Sequence, residues 1–219
     1  MTTMATSDEQ FMDHSAMFVF TAAFVVVIVA SLYLASALKP RSKRSVSTIP
    51  TMIVLGSGGH TCEMLKLAAA LDKGKYTPRT FVVAASDSFS HQKATEFDPQ
   101  AEVVTVPRSR EVGQSWLTSV FTTVSASVAS FNILSTHRPR LVLCNGPGTC
   151  VPICAIAWLN SKVLRISSTV KIVFVESVCR VATMSLSGRI LLWFADDVLV
   201  QWPELAEKYR GSKYVARFV

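Results

Sequence analysis

Met52–Thr61 reads MIVLGSGGHT. The apolar residues Met52 to Leu55 run into Gly56-Ser57-Gly58-Gly59. His60-Thr61 follows, and then the helix-forming run Glu63–Leu71, EMLKLAAAL. The pattern specifies a strand, a tight glycine turn and a helix. Such a turn aims backbone N–H groups and the positive end of a helix at one spot, which suits a phosphate or diphosphate. It also places one titratable side chain, His60, at that spot.

The alternation continues along the chain. Strands are expected at Met52–Leu55, Thr80–Ala84, Glu102–Val106, Leu141–Cys144, Ile172–Val175 and Val198–Gln201. Helices are expected at Cys62–Leu71, Ser90–Glu96, Gln114–Ser135, Thr149–Leu159 and Leu186–Phe194. This order predicts an α/β fold with a Rossmann-like, doubly wound parallel sheet. Ligands of such sheets sit beyond the carboxyl ends of the strands. The residues there are Gly56–Thr61, Ser86-Asp87, Pro107–Glu111, Asn145-Gly146-Pro147-Gly148-Thr149 and Glu176-Ser177. The Asn145–Thr149 loop repeats the strand–glycine–helix form, and two such loops on one rim can hold the two phosphates of one diphosphate. Arg108, Arg110 and Arg180 are candidate counter-charges. Glu176 is a candidate partner for sugar hydroxyls, or a cap for the next helix.

Upstream of the glycine turn lies Met17–Leu38, an uncharged stretch long enough to span a bilayer. No Lys or Arg precedes it, whereas Lys39, Arg41, Lys43 and Arg44 follow at once. That asymmetry places residues 1–16 on the luminal or external side, residues 17–38 in the membrane, and the basic linker 39–50 and body 51–219 in the cytosol. The missing basic n-region and the length of the apolar run argue against a cleaved signal. All 22 Lys and Arg follow the span and three of the 15 acidic residues precede it, so the net charge from Lys39 on is +10. A basic body on a tether suits an anionic membrane face or anionic lipid head groups. Nucleic acid is not indicated, because no basic helix is interleaved with aromatics.

Several chemistries are disfavoured or excluded by spacing. A dinucleotide fingerprint starting at Gly56 needs glycine at the position of Thr61, and Asp87 falls late for a ribose partner. No Gly-Lys-Ser/Thr follows the turn and no G-x-S-x-G occurs. The five cysteines (Cys62, Cys144, Cys150, Cys154, Cys179) form no zinc spacing, so neither a metal nor a cofactor is expected.

The motif series MIVLGSGGHTCEML, PRSREVGQSW, LVLCNGPGTCVPICAIAWL, KIVFVESVCRVATMSLSGRIL and ADDVLVQWPEL strongly resembles the family of asparagine-linked glycosylation protein fourteen. That family supplies the membrane subunit of the eukaryotic dolichol-linked N-acetylglucosamine transferase. It is similar to the N-terminal half of the bacterial lipid-linked N-acetylglucosaminyl transferase of peptidoglycan synthesis, a GT-B enzyme. The resemblance covers Lys39 to Val219. It implies one half of a GT-B fold behind the span, with the second half supplied by a soluble UDP-GlcNAc-binding subunit, asparagine-linked glycosylation protein thirteen. It implies residence on the cytosolic face of the endoplasmic reticulum membrane, and the nuclear envelope continuous with it. The implied acceptor is GlcNAc-diphosphate-dolichol, and the implied reaction is inverting β1,4 transfer of a second GlcNAc, with no activity by the chain alone. The transferase of the preceding step, which makes that acceptor, is a further implied partner.

Carried over residue by residue, Gly58, Gly59 and His60 match the glycine loop near the acceptor diphosphate, with Gly56, Ser57 and Thr61 beside them, and His60 is a candidate general base. Asn145, Gly146 and Gly148 match the second loop, with Arg108 and Arg110 as counter-charges. Glu176 matches a carboxylate that faces the acceptor. The apolar tail Tyr214–Val219, with Tyr214, Val215, Phe218 and Val219, matches the segment that docks the partner. A chain end this apolar is equally suited to pack on its own sheet. Two other functional classes remain at this stage: an anchor without a catalytic role, and a membrane-bound Rossmann oxidoreductase, which the Thr61 mismatch disfavours.

Overall fold

The first strand, β1 (Thr51–Val54), is buried along its whole length. An uninterrupted apolar run does this when it has strands on both sides and helices over both faces. The computed structural model describes residues 48–108, 116–146, 148–164 and 169–216, all within a unit that begins at Ser42. The anchor Met17–Leu38, residues 1–16 and most of the linker lie outside the described residues. Among the described residues no helix is long and apolar enough to cross a membrane.

The chain continues through α1 (Gly59–Ala70), β2 (Arg79–Ala84), α2 (Ser88–Phe97), β3 (Glu102–Val106), α3 (Trp116–His137), β4 (Leu141–Asn145) and α4 (Cys150–Trp158). A π-helical turn over Leu159–Val163 extends α4. Then come β5 (Lys171–Val175), α5 (Leu186–Leu191), β6 (Asp197–Val200), α6 (Pro203–Lys208) and β7 (Ser212–Tyr214). The strands form one sheet in the order β3-β2-β1-β4-β5-β6-β7, and every neighbouring pair is parallel. This is the doubly wound sheet that the alternation predicts.

Strand alternation divides the core. Ile53, Leu55, Phe81, Val83, Leu143 and Val175 pack with Met64 and Ala68 of α1 and Ala94 of α2. The intervening Met52, Val54, Val82, Val142, Cys144, Ile172 and Phe174 are equally buried and point to the opposite face. There Cys144 meets Cys154 of α4, with the sulfurs 3.4 Å apart. Hydrogen bonding with Cys150 and Cys154, together with burial, holds the Cys144 thiol well above its ordinary range. These thiols are packing groups, as their apolar sequence setting predicts.

Two elements escape the sequence reading. α6 is only six residues long, opened by a proline in its first turn, and is too short to express a helical period. β7 has three residues, none of them buried. Its pairing with β6 places Tyr214 in an edge strand, and the Val215 N–H continues the ladder to the Val200 carbonyl at 2.9 Å. The first part of the expected docking tail is thus the seventh strand of the chain's own sheet. Phe218 and Val219 lie outside the described residues.

Candidate acceptor site

β1 and β4 lie side by side where the winding of the sheet reverses, so the crevice at their carboxyl ends is the expected ligand position of the fold. Both glycine turns open there. After β1, Gly58 adopts φ 63° and forms the N-cap of α1 without a side-chain bond to the helix. Ser57, Gly58 and Gly59 are exposed; the Thr61 N–H donates to the Gly58 carbonyl at 3.1 Å, and the N–H groups of Gly59 and His60 before it precede the first i→i−4 bonds of the helix. After β4, Gly146 (φ 82°) turns the chain toward α4, whose N-cap Thr149 also makes no side-chain cap bond.

A buried polar knot shapes the first turn. The Thr61 hydroxyl donates to the Gly56 carbonyl and lies 2.5 Å from Ser90 Oγ. Ser90 donates its hydroxyl to Asp87 at 2.7 Å, and Asp87 also caps α2 by accepting from the Ser90 N–H at 3.0 Å. Thr61 is fully buried, which corrects its expected place among the ligand-binding residues. Its side chain braces the loop from below.

His60 joins the two turns. Its Nδ1 lies 2.9 Å from Asn145 Oδ1. Asn145 Nδ2 donates to Glu63 Oε2 at 2.8 Å, and the Ser177 hydroxyl donates to Glu63 Oε1 at 2.8 Å. Because a carboxylate only accepts, the Asn145 amide must turn its NH2 to Glu63 and its oxygen to His60. His60 therefore carries its proton on Nδ1, and Nε2 keeps a lone pair while the ring is neutral. Glu63 Oε2 is also 3.6 Å from Nδ1, so the carboxylate lies close enough to stabilise the ring when it takes a second proton. Asn145 and Glu63 are 1% and 6% exposed, whereas the His60 side chain is 35% exposed. Of the three, His60 is the one presented to a ligand. A Cβ on Gly146 would stand 2.7 Å from His60 Cγ, so the imidazole rests on the bare α-carbon of the second turn.

Glu63 was not among the expected site residues. The signal was present in its position three residues after His60, on the same face of α1. Glu176 was expected and lies elsewhere in the chemistry. It is 1% exposed. Its Oε1 accepts from the Ser177 N–H at 3.1 Å, and its Oε2 from the Ser185 N–H and hydroxyl at 2.8 and 2.9 Å. Both oxygens are thus bound inside the protein, clamping the loop between β5 and α5. Of the two roles expected of Glu176, sugar partner or cap of the next helix, these bonds are of the second kind, since Ser185 is the N-cap of α5. Arg108 is half-buried at the end of β3, Gly148 is exposed beside the second turn and Arg180 is exposed on the clamped loop. Arg110 lies outside the described residues. Among those residues no group of His, Cys, Asp or Glu is arranged to hold a metal.

Residues 51–218 match the family model described as "Oligosaccharide biosynthesis protein Alg14 like". The UDP-N-acetylglucosamine transferase subunit ALG14 of Rattus norvegicus is 49% identical over 180 residues, covering 77% of this chain and 82% of the relative. The subunit of the same name from Homo sapiens is 45% identical over 192 residues (82% and 85%), and that from Schizosaccharomyces pombe 44% over 172 (75% and 80%). Among solved structures, Acinetobacter baumannii MurG superposes with a TM-score of 0.57 at 13% identity, over 77% of this chain and 44% of MurG. The UDP-GlcNAc 2-epimerase of Neisseria meningitidis gives 0.54 at 13% identity, over 77% and 45%. The fold thus resembles that of somewhat less than half of each of these molecules. The chain belongs to the Alg14 family of oligosaccharide biosynthesis proteins.

Proposed function

We propose that the chain is the acceptor-binding, membrane-anchored subunit of a UDP-N-acetylglucosamine transferase. It supplies one wall of a cleft whose other wall, with the UDP-GlcNAc site, belongs to a soluble partner subunit (asparagine-linked glycosylation protein thirteen). The acceptor is GlcNAc-diphosphate-dolichol, held at the cytosolic face of the endoplasmic reticulum membrane. The observation that carries this reading is the setting of His60, whose Nδ1 lies 2.9 Å from Asn145 Oδ1 and whose side chain is 35% exposed where two glycine turns meet.

The chemistry follows from that setting. The two helix N-termini and their turns bind the acceptor diphosphate through backbone N–H groups. The 4-hydroxyl of the acceptor sugar attacks the anomeric carbon of UDP-GlcNAc on the face opposite UDP. The new C–O bond forms as the C1–phosphate bond breaks, and UDP departs with the electron pair. The hydroxyl proton passes to His60 Nε2. Glu63, through Asn145 and its own charge, stabilises the resulting imidazolium.

The test reconstitutes the full chain with the soluble subunit in vesicles and follows radiolabelled GlcNAc from UDP-GlcNAc onto GlcNAc-diphosphate-polyprenol. Both subunits are required for product. His60→Ala lowers kcat by about 10²- to 10⁴-fold while the two subunits still co-purify. Full activity of His60→Ala in an intact complex would reduce the chain to an anchor. In sealed microsomes, externally added protease digests the body after Lys39; a protected body would overturn the cytosolic assignment.

A further inference from the structure

α5 carries an apolar stripe on its outer side. Leu186 and Ile190 lie one turn apart on the helix and Trp193 lies in the turn two residues past its end; they are 63%, 37% and 90% exposed. Ser187, Gly188 and Leu191 between them are buried. The end of α4 extends the stripe. Lys162 pairs with Asp196 at 2.8 Å and Trp158 stacks against Phe194 with centroids 5.8 Å apart. These contacts tie the exposed Val163 and Leu164 to the turn that follows α5. Ser177–Ala195 contains Arg180 and Arg189 and no acidic residue, and both arginines are exposed. The stripe begins one residue after Ser185, which binds Glu176 through its N–H and hydroxyl. It therefore starts at the carboxyl rim of the sheet, beside the His60 site.

We propose that this face beds into the head-group region of an anionic bilayer and lies along the route by which the lipid part of the acceptor reaches the rim. The second clause rests on the function proposed above. A bilayer fits this surface better than a protein does. Trp193 pairs an apolar body with a polar N–H, the combination favoured at membrane interfaces. Arg180 and Arg189 flank it, on a body (residues 51–219) of net charge +6, which complements anionic lipid. A convex apolar stripe with a basic border is the form taken by helices that lie in the interface plane.

The full chain is placed in phosphatidylcholine/phosphatidylserine vesicles containing lipid brominated at the shallow acyl positions, and tryptophan fluorescence is recorded. Met17–Leu38 contains no Trp, so an anchor in the bilayer adds no signal. Trp193→Phe removes most of the bromine quenching. Equal fractional quenching in wild type and Trp193→Phe would overturn the proposal, and so would loss of the quenching when the soluble subunit is added, since the face would then belong to that partner. The paired exposed variants Leu186→Ser and Ile190→Ser, assayed in the two-subunit complex, raise the apparent KM for a long-chain polyprenyl acceptor about tenfold and leave a short-chain soluble acceptor unaffected. Wild-type kinetics with both acceptors would sink the lipid-route clause while the transferase reading stands. No transfer to either acceptor by the wild-type complex would sink the transferase reading instead, with the bromine result still deciding whether the face meets lipid.

Discussion

Glu63 and Glu176 are two carboxylates buried at one rim, at 6% and 1% exposure, and they do different things. Glu176 follows a strand, where an α/β sheet places its ligand-binding residues. It accepts from Ser177 and Ser185 and holds a loop in shape. Glu63 sits in the first turns of a helix and holds Asn145 and Ser177, and through Asn145 it sets the proton of His60. Both bind serine hydroxyls, and they are linked through Ser177, whose N–H goes to Glu176 and whose hydroxyl goes to Glu63. What separates them is whether the next group along the chain of bonds reaches solvent. From Glu63 it is the imidazole. From Glu176 it is Ser185, whose hydroxyl oxygen goes on to accept from the buried Gly188 N–H of a helix.

That difference predicts a separation of stability from rate. Glu176→Ala leaves the Ser177 and Ser185 donors without an acceptor and opens a void beneath Gly188, whose own Cβ would meet Glu176 Oε2 at 2.7 Å. Stability falls by about 3 kcal/mol, read from urea unfolding. Activity of the protein that remains folded changes much less. A large fall in kcat without loss of stability would return Glu176 to the reacting centre. Glu63→Gln gives the reverse pattern. The amide can still bond Asn145 and Ser177, so the melting temperature hardly moves, whereas loss of the negative charge lowers kcat about a hundredfold with KM nearly unchanged, in line with removal of a group that stabilises a charged ring. Equal loss of stability in both variants would make Glu63 a second structural clamp.

Gly146→Ala sharpens the comparison from the other side of His60. The position has φ 82°, which disfavours any side chain, and the added methyl would press on the imidazole. The ring is displaced from Asn145, and kcat falls about tenfold with a stability loss of about 1–2 kcal/mol. If kcat is unchanged, the contact of the ring with the second turn is incidental to the reaction.

How far these roles could be read in the sequence depends on the range of the interactions. The six longer strands and the glycine turns were legible, because apolar runs and Gly-rich breaks are local signals. His60 and Asn145 were legible as rim residues because each belongs to a glycine loop at the carboxyl end of an expected strand. The role of Glu63 was not, and for Glu176 the sequence left a sugar partner and a helix cap both open. Each is fixed by partners far along the chain: Glu63 by Asn145 and Ser177, and Glu176 by the turn at Ser185. A carboxylate's position in sequence does not say whether its oxygens are already occupied. Thr61 shows the same limit, since its hydroxyl is directed inward by Ser90, brought up from the next helix. β7 was hidden for a different reason. Its residues form a strand only because β6 offers an open edge.

A third carboxylate extends the comparison to the far end of the sheet, where the partners are cations. Asp197, at the start of β6, pairs with Lys171 of β5 at 2.9 Å and with Lys213 of β7. Hydrogen bonds from Lys213 and Lys171, and then their charges, hold its carboxyl below the ordinary aspartate range, while the Lys171 ammonium is pushed up by the same pair. Because the carboxylate titrates lower in the folded than in the unfolded chain, its contribution is fully present above the ordinary aspartate pKa of about 4. It is lost as the pH falls from there through the depressed folded value. Both lysines are largely exposed, at 60% and 64%, so solvent screening keeps the effect small. Asp197→Asn should cost about 0.5–1 kcal/mol at pH 7, and that difference should shrink as the pH falls below about 4 and should also fall in high salt. Urea midpoints of both proteins across that range provide the measurement. The edge strand that leads into the chain's last residues is held by this pair of bonds, so Asp197→Asn should also weaken capture of the soluble subunit at pH 7 if the tail docks it. A variant whose stability deficit is the same at pH 3 and pH 7 would mean that Asp197 acts through neutral hydrogen bonds, as Glu176 does, and not through its charge.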